Sequence, residues 1–125
     1  MSMTRYSKDH LWVRMEDDVA VIGLTEYAQD ALGELVFVEL PDVNRDLEAG
    51  DVCAVVESDK ATTDLYAPLA GKVIDVNQAV AEDPALVNKD AEGEAWFYKL
   101  EPTDPDAVDE MLDETEYTAF LETQD

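Results

Sequence analysis

The sequence predicts a small, mainly β domain closed by a C-terminal helix. Short apolar runs alternate with polar residues at a strand period and are separated by turn-forming residues. From Asp104 the pattern changes to a 3.6-residue period. At 125 residues and 46% hydrophobic side chains, the chain has the size and content for one modest core.

The elements follow in order. Leu11 to Arg14 and Val19 to Gly23 flank MEDD, whose paired aspartates suit a hairpin turn. In TEYAQDALGEL, Thr25 can cap a short helix and Gly33 can end it, with Tyr27, Ala28, Ala31 and Leu32 sharing one face. Val36, Val38 and Leu40 alternate with Phe37 and Glu39 in a strand closed by Pro41. LEAGDVCAVVES reads as a turn and a strong strand. TDLYAPLAGKVIDVN reads as an extended piece, a Pro/Gly turn and another strand, and GEAWFYKLEP as the last strand. From Asp104, a plausible N-cap before Pro105, the residues Val108, Met111, Leu112, Tyr117, Phe120 and Leu121 mark one apolar side of a C-terminal helix. Ala49-Gly50-Asp51-Val52 echoes Ala70-Gly71-Lys72-Val73, which suggests quasi-twofold halves with Lys60 midway between the glycines.

The formal net charge is -23, from 31 acidic and 8 basic residues. It opposes binding to nucleic acid or to an anionic membrane, since both need positive charge facing phosphate. It suits a medium of high ionic strength, where self-repulsion is screened. Cys53, in a dense apolar run, reads as a buried hydrophobe and fits a reducing compartment. The amino terminus has no apolar signal core, so a cytoplasmic location is expected.

A catalytic centre is hard to assemble. The chain has one histidine, His10, and no glycine-rich phosphate cradle, CxxC, HExxH or calcium-loop order. Metal is not expected. His10 and Trp12 fall on the same side of a strand, which makes packing of one ring on the other as good a role as any. The distinctive segment is VVESDKATTDLYAP. Lys60 stands alone as a base between Arg45 and Lys72, in a turn between two strands, where a partner enzyme can reach it. The plainer reading is a solubilising lysine beside Asp59 and Asp64.

Beyond these readings, KDHLWV, IGLTEYAQDALGELVFVELP, AGDVCAVVESDKATTDLYAPLAGKVIDVN, PALVN and LDETEYTAFL resemble the H proteins of the glycine cleavage system, in one register over about residues 6 to 122. The resemblance implies a barrel-sandwich hybrid of the lipoyl- and biotinyl-carrier kind, a single domain over 1–125 with its core at about 6–100 and a helical region at about 104–122. It implies that Lys60 carries lipoate in amide linkage, as N6-lipoyllysine. Glu57, Ser58, Asp59, Ala61 and Gly71 would form the motif read by the attaching enzyme, a lipoate ligase or a lipoyl or octanoyl transferase. His10, Leu11, Tyr27 and Asp64 would be candidates for docking the loaded arm. The implied partners are glycine decarboxylase, aminomethyltransferase and dihydrolipoamide dehydrogenase, and the chain would be a shuttle without turnover of its own. The alternative is an H-like carrier that donates lipoate to other enzymes.

Three residues depart from the family pattern: Asp59 replaces a usual valine, Leu11 a usual glutamate and Ala95 a usual glycine. A dehydrogenase lipoyl domain is disfavoured by length. A biotin carrier is disfavoured by Asp59 and Ala61, where methionines would flank the lysine.

Overall fold

A computed structural model describes residues 3–7, 10–16 and 18–122. Lys8 and Asp9 of KDHLWV and Asp17 of the MEDD turn lie outside them. Two antiparallel sheets organise the described residues. The larger contains β1 (Met3–Tyr6), β2 (Leu11–Glu16), β3 (Val19–Leu24), β5 (Asp46–Leu47), β8 (Gly71–Val76) and β9 (Trp96–Pro102), in the order β1-β2-β3-β9-β8-β5. The smaller contains β4 (Leu35–Glu39), β6 (Val52–Ser58) and β7 (Thr62–Tyr66), with β6 central. Four helices join them: α1 (Glu26–Leu32), α2 (Gln78–Glu82), α3 (Ala85–Asp90) and α4 (Glu114–Glu122). The fold is therefore mixed, with more helix than the one internal and one C-terminal element expected.

The first hairpin runs further than MEDD implied, because Glu16 pairs with Val19 and keeps Met15 and Glu16 within β2. Strand β3 is buried on both faces. Ala20, Ile22 and Leu24 enter the main core, while Val21 packs with Tyr6, Trp12 and Tyr117 on the far side. Gly23 is required there: a Cβ would stand 2.7 Å from Cζ2 of Trp12, its cross-strand partner. The main core also takes Leu35, Val38, Val56, Leu65, Val73, Phe97 and Leu100, each fully buried large side chain worth roughly 1.5–3 kcal/mol.

The C-terminal region is not one helix. Asp104 caps a 3-10 turn, Pro105–Glu110, by accepting from the Asp106 amide at 3.2 Å. Met111 is then extended, and Leu112 makes a bridge to Tyr6 before α4 begins. Leu112 accepts from Tyr6 N at 2.8 Å and donates back at 3.1 Å, so it satisfies backbone groups on the edge of β1. Tertiary pairing overrides the local helical period there. The two glycines of the echo both lead into valine-rich strands but differ in setting: Gly50 has φ +93° in an open turn, whereas Gly71 opens β8 and meets its neighbours closely. Among the described residues no helix is long and apolar enough to cross a membrane.

Candidate functional site

The turn Ser58–Ala61 joins the two strands β6 and β7, and the Ser58 side chain builds it. The Ser58 amide donates to the Ala61 carbonyl at 2.8 Å. Its Oγ accepts from the amides of Lys60 and Ala61, each at 3.2 Å, and donates to the Ala61 carbonyl at 3.3 Å. One nearly buried hydroxyl thus fixes the backbone of the turn, while Asp59, Lys60 and Ala61 remain exposed. Glu57 precedes the turn on the outer face of the sheet, between Phe37 and Thr62.

The Lys60 side chain does not simply project into water. It lies over the end of α1, where a Cβ on Gly33 would stand 3.9 Å from both Cε and Nζ of Lys60 and 3.7 Å from Oδ1 of Asp59. Gly33 caps the helix at φ +88° and ψ -155°, a region open essentially to glycine alone. Asn88 on α3 holds that cap in place. Its Nδ2 donates to the Gly33 carbonyl and to Oε1 of Gln29, each at 2.9 Å, and its Oδ1 accepts from the Leu35 amide at 3.0 Å. Asn88 escaped the sequence reading because its three partners lie more than fifty residues away in the chain.

An apolar groove of about 260 Å³ runs along α1 beside this cap. Tyr27, Ala28, Ala31 and Leu32 supply the helix side, which is the face the sequence spacing had grouped. Thr63 and Leu65 of β7 supply the opposite wall, and His10 and Leu24 complete the lining. Because β7 starts just after Lys60, the lysine turn and the groove share a strand.

His10 reaches the groove through an unusual backbone. With φ +68° it stands just before β2 in a left-handed conformation, outside the strand alternation that would set its ring beside Trp12. Its ring lies tilted against Tyr27, with centroids 4.9 Å apart and planes at 41°, and its Nδ1 lies 2.9 Å from Tyr117 Oη. Tyr117 Oη is in turn 2.9 Å from Oγ1 of the buried Thr25, the residue that caps α1 by accepting from the Ala28 amide. Trp12 donates to the Ala91 carbonyl at 2.9 Å and lies under the Arg14 guanidinium, 4.7 Å away.

The remaining candidates are placed elsewhere. Leu11 is 1% exposed and belongs to the main core, outside the groove lining. Asp64 sits between Thr63 and Leu65 on β7, so strand alternation turns it to the outer face, away from the groove. Gly71 lies in the other sheet, at the start of β8. A Cβ there would run into the Glu101 carbonyl oxygen and come within 2.8 Å of Pro102 Cα, so close strand approach explains this glycine. Cys53 is buried, and burial pushes its thiol pKa up. Its neighbour Tyr98 has a buried hydroxyl that finds no well-formed hydrogen bond among the described residues. Cys53 therefore lacks the electropositive exposure of a reactive thiol. No cluster of three potential metal ligands occurs among the described residues.

Two sheets presenting one lysine on a rigid turn resemble the architecture of a lipoyl carrier. The family model described as glycine cleavage H-protein matches residues 4–124. The glycine cleavage system H protein of Acidiphilium cryptum is 54% identical over 123 residues, covering 98% of this chain and 99% of that protein. That of Thermotoga maritima is 47% identical over 120 residues, covering 96% and 97%. The crystal structure of a glycine cleavage system H protein from Mycobacterium marinum superposes with a TM-score of 0.86 at 39% identity, over 93% of this chain and 94% of that one. The chain belongs to the glycine cleavage H-protein family.

Proposed function

We propose that this chain is the lipoate-bearing shuttle of the glycine cleavage system and that Lys60 is its attachment residue. The observation that carries the reading is the Ser58-pinned turn, which sets the exposed Lys60 just before the strand whose Thr63 and Leu65 line the apolar groove. The two sheets are read as halves of a barrel-sandwich hybrid, one domain over 1–125.

The residues present fit the group. An arm from Lys60 Cα to a dithiolane spans about 11 bonds, or roughly 14 Å. Helix α1 has seven residues, about 10 Å along its axis. An arm folded back from Lys60 therefore reaches the His10 and Tyr27 end of the groove. Bound lipoate supplies a dithiolane that accepts an aminomethyl group and, as the dithiol, is reoxidised. The chain's own residues do the rest. Ser58 fixes the point of attachment, and Gly33 leaves room for the lysine stem. Leu24, Ala28, Leu32 and Leu65 give the folded arm an apolar bed that excludes water. Release from that bed exposes the arm to a docked enzyme at high effective concentration.

Glycine decarboxylase, aminomethyltransferase and dihydrolipoamide dehydrogenase are the partners on this reading, and a lipoate ligase or transferase loads the arm. The chain itself is a carrier, with the hard chemistry left to cofactor and partners. The buried free thiol of Cys53 suits the reducing cytoplasm in which such a system works. Exchange of labelled bicarbonate into the glycine carboxyl, catalysed by glycine decarboxylase, tests the reading. The lipoylated chain should support exchange and the K60A variant should not. Failure of the lipoylated chain to support it rejects the shuttle role.

A further inference from the structure

Strand β4 breaks its own alternation. Its register against β6 slips between Leu35 and Phe37, so Leu35 and Val38 are both buried while Val36 and Phe37 stand 53% and 49% exposed. An uninterrupted strand would turn one of the two inward. Bulges that re-aim side chains recur beside functional sites. Phe37 faces Glu57 across the ladder, and Glu57 faces Thr62. Glu39 and Asp64 flank Val55 in the next row. Exposed carboxylates thus stand on both sides of Phe37 along the ladder, Glu57 and Asp59 toward the lysine turn and Glu39 and Asp64 away from it.

We propose that Val36 and Phe37 anchor the enzyme that acylates Lys60, through an apolar socket rimmed by lysine or arginine side chains. The proposal rests on the reading of Lys60 as the attachment residue. A bare lysine spans five bonds from Cα to Nζ, about 6 Å, so the attaching enzyme must bring its active site to the turn itself. The other partners are served by the longer finished arm. A standard interface covers about 800 Å² of each protein, a disc of roughly 16 Å radius. Phe37 lies one ladder step of about 5 Å from Glu57, and Lys60 is three residues further, at most about 15 Å in all. A footprint centred on Lys60 therefore covers Phe37. An aromatic side chain at such a position is a natural anchor. The surrounding carboxylates, in a chain of net charge -23, select a basic rim and speed encounter.

Initial rates of lipoyl transfer by purified lipoate ligase, with ATP and lipoate, test this over a range of carrier concentrations. Phe37→Ser should raise KM about tenfold or more, the effect of losing one anchor residue, and Phe37→Leu should recover most of the loss. Ile74→Ser serves as control, because Ile74 is 37% exposed in β8 of the other sheet, and it should leave KM unchanged. The wild-type KM should rise with added KCl, and less steeply in Glu39→Gln/Asp64→Asn. A wild-type KM in Phe37→Ser, an equal loss in Ile74→Ser, or a KM indifferent to salt overturns the proposal. Thermal midpoints of the variants separate lost docking from lost folding. No transfer to the wild type at all would defeat the underlying reading instead, a result distinct from failure of the anchor.

Discussion

The hydroxyl of Tyr117 lies 2.9 Å from Nδ1 of His10 and 2.9 Å from Oγ1 of Thr25. One phenol on α4 thereby ties the groove to the cap of α1, across more than ninety residues of chain. Tyr117 also stacks on Tyr6, with centroids 4.7 Å apart and planes at 8°. Tyr117→Phe keeps that stacking and removes only the hydroxyl, leaving the buried Thr25 hydroxyl with the Ala28 amide but no partner for its own proton. The expected cost is about 1–3 kcal/mol of unfolding free energy by denaturant titration. The His10 ring resonances should shift in the same variant, which an isolated loss of packing at Tyr6 would not produce.

The tyrosines also set an alkaline limit. Tyr6 is pushed up to about 12, chiefly by burial and further by Glu92 and Glu114. Burial likewise raises Tyr98 and Tyr117, the latter against an opposing hydrogen bond from Thr25. An unfolded tyrosine ionises near 10. Below that pH both states hold their phenolic protons and the stabilisation is complete. As pH rises towards about 12 the unfolded chain releases protons that the folded chain keeps, so stability falls. The thermal midpoint should drop through this range, alongside delayed tyrosine ionisation in the absorbance titration.

Gly71→Ala separates close packing from recognition by the attaching enzyme. The new Cβ would press on Glu101 and Pro102, so the variant should lose about 1–3 kcal/mol. At a temperature where it remains folded, acylation should proceed at the wild-type rate. A slowed rate in the folded variant would restore Gly71 to the recognised motif.

Self-repulsion from a net charge of -23 should be relieved by salt. With the Debye length near 3 Å at about 1 M, the thermal midpoint should rise between about 0.05 M and about 1 M KCl. A flat or falling midpoint would mean that the charges are locally balanced.

Local signals made much of this legible. Thr25 and Gly33 bound α1 as their cap chemistry implied, and the strands after Gly50 and around Phe97 fall where alternation placed them. Long-range effects were invisible. Leu112 leaves its helical period to pair with Tyr6, the β4 bulge turns Val36 outward, and His10 stands just before β2 with a positive φ. Helices α2 and α3 are short and rest on the buried Val80 and Val87, too few turns for a period to register. At the site, the lysine turn was readable from ESDKA, because Ser58 caps within its own segment. Spacing exposed the groove only on its α1 side and the family resemblance added His10, while Leu24, Thr63 and Leu65 reach it by tertiary folding.

The central claim is that Lys60 carries the arm. Intact-mass measurement, followed by peptide mapping after incubation with lipoate ligase, ATP and lipoate, tests it most directly. The expected result is one lipoyl group per chain, mapped to Lys60 and absent from K60A. A lipoyl group persisting in K60A, or none on the folded wild type, would contradict the claim.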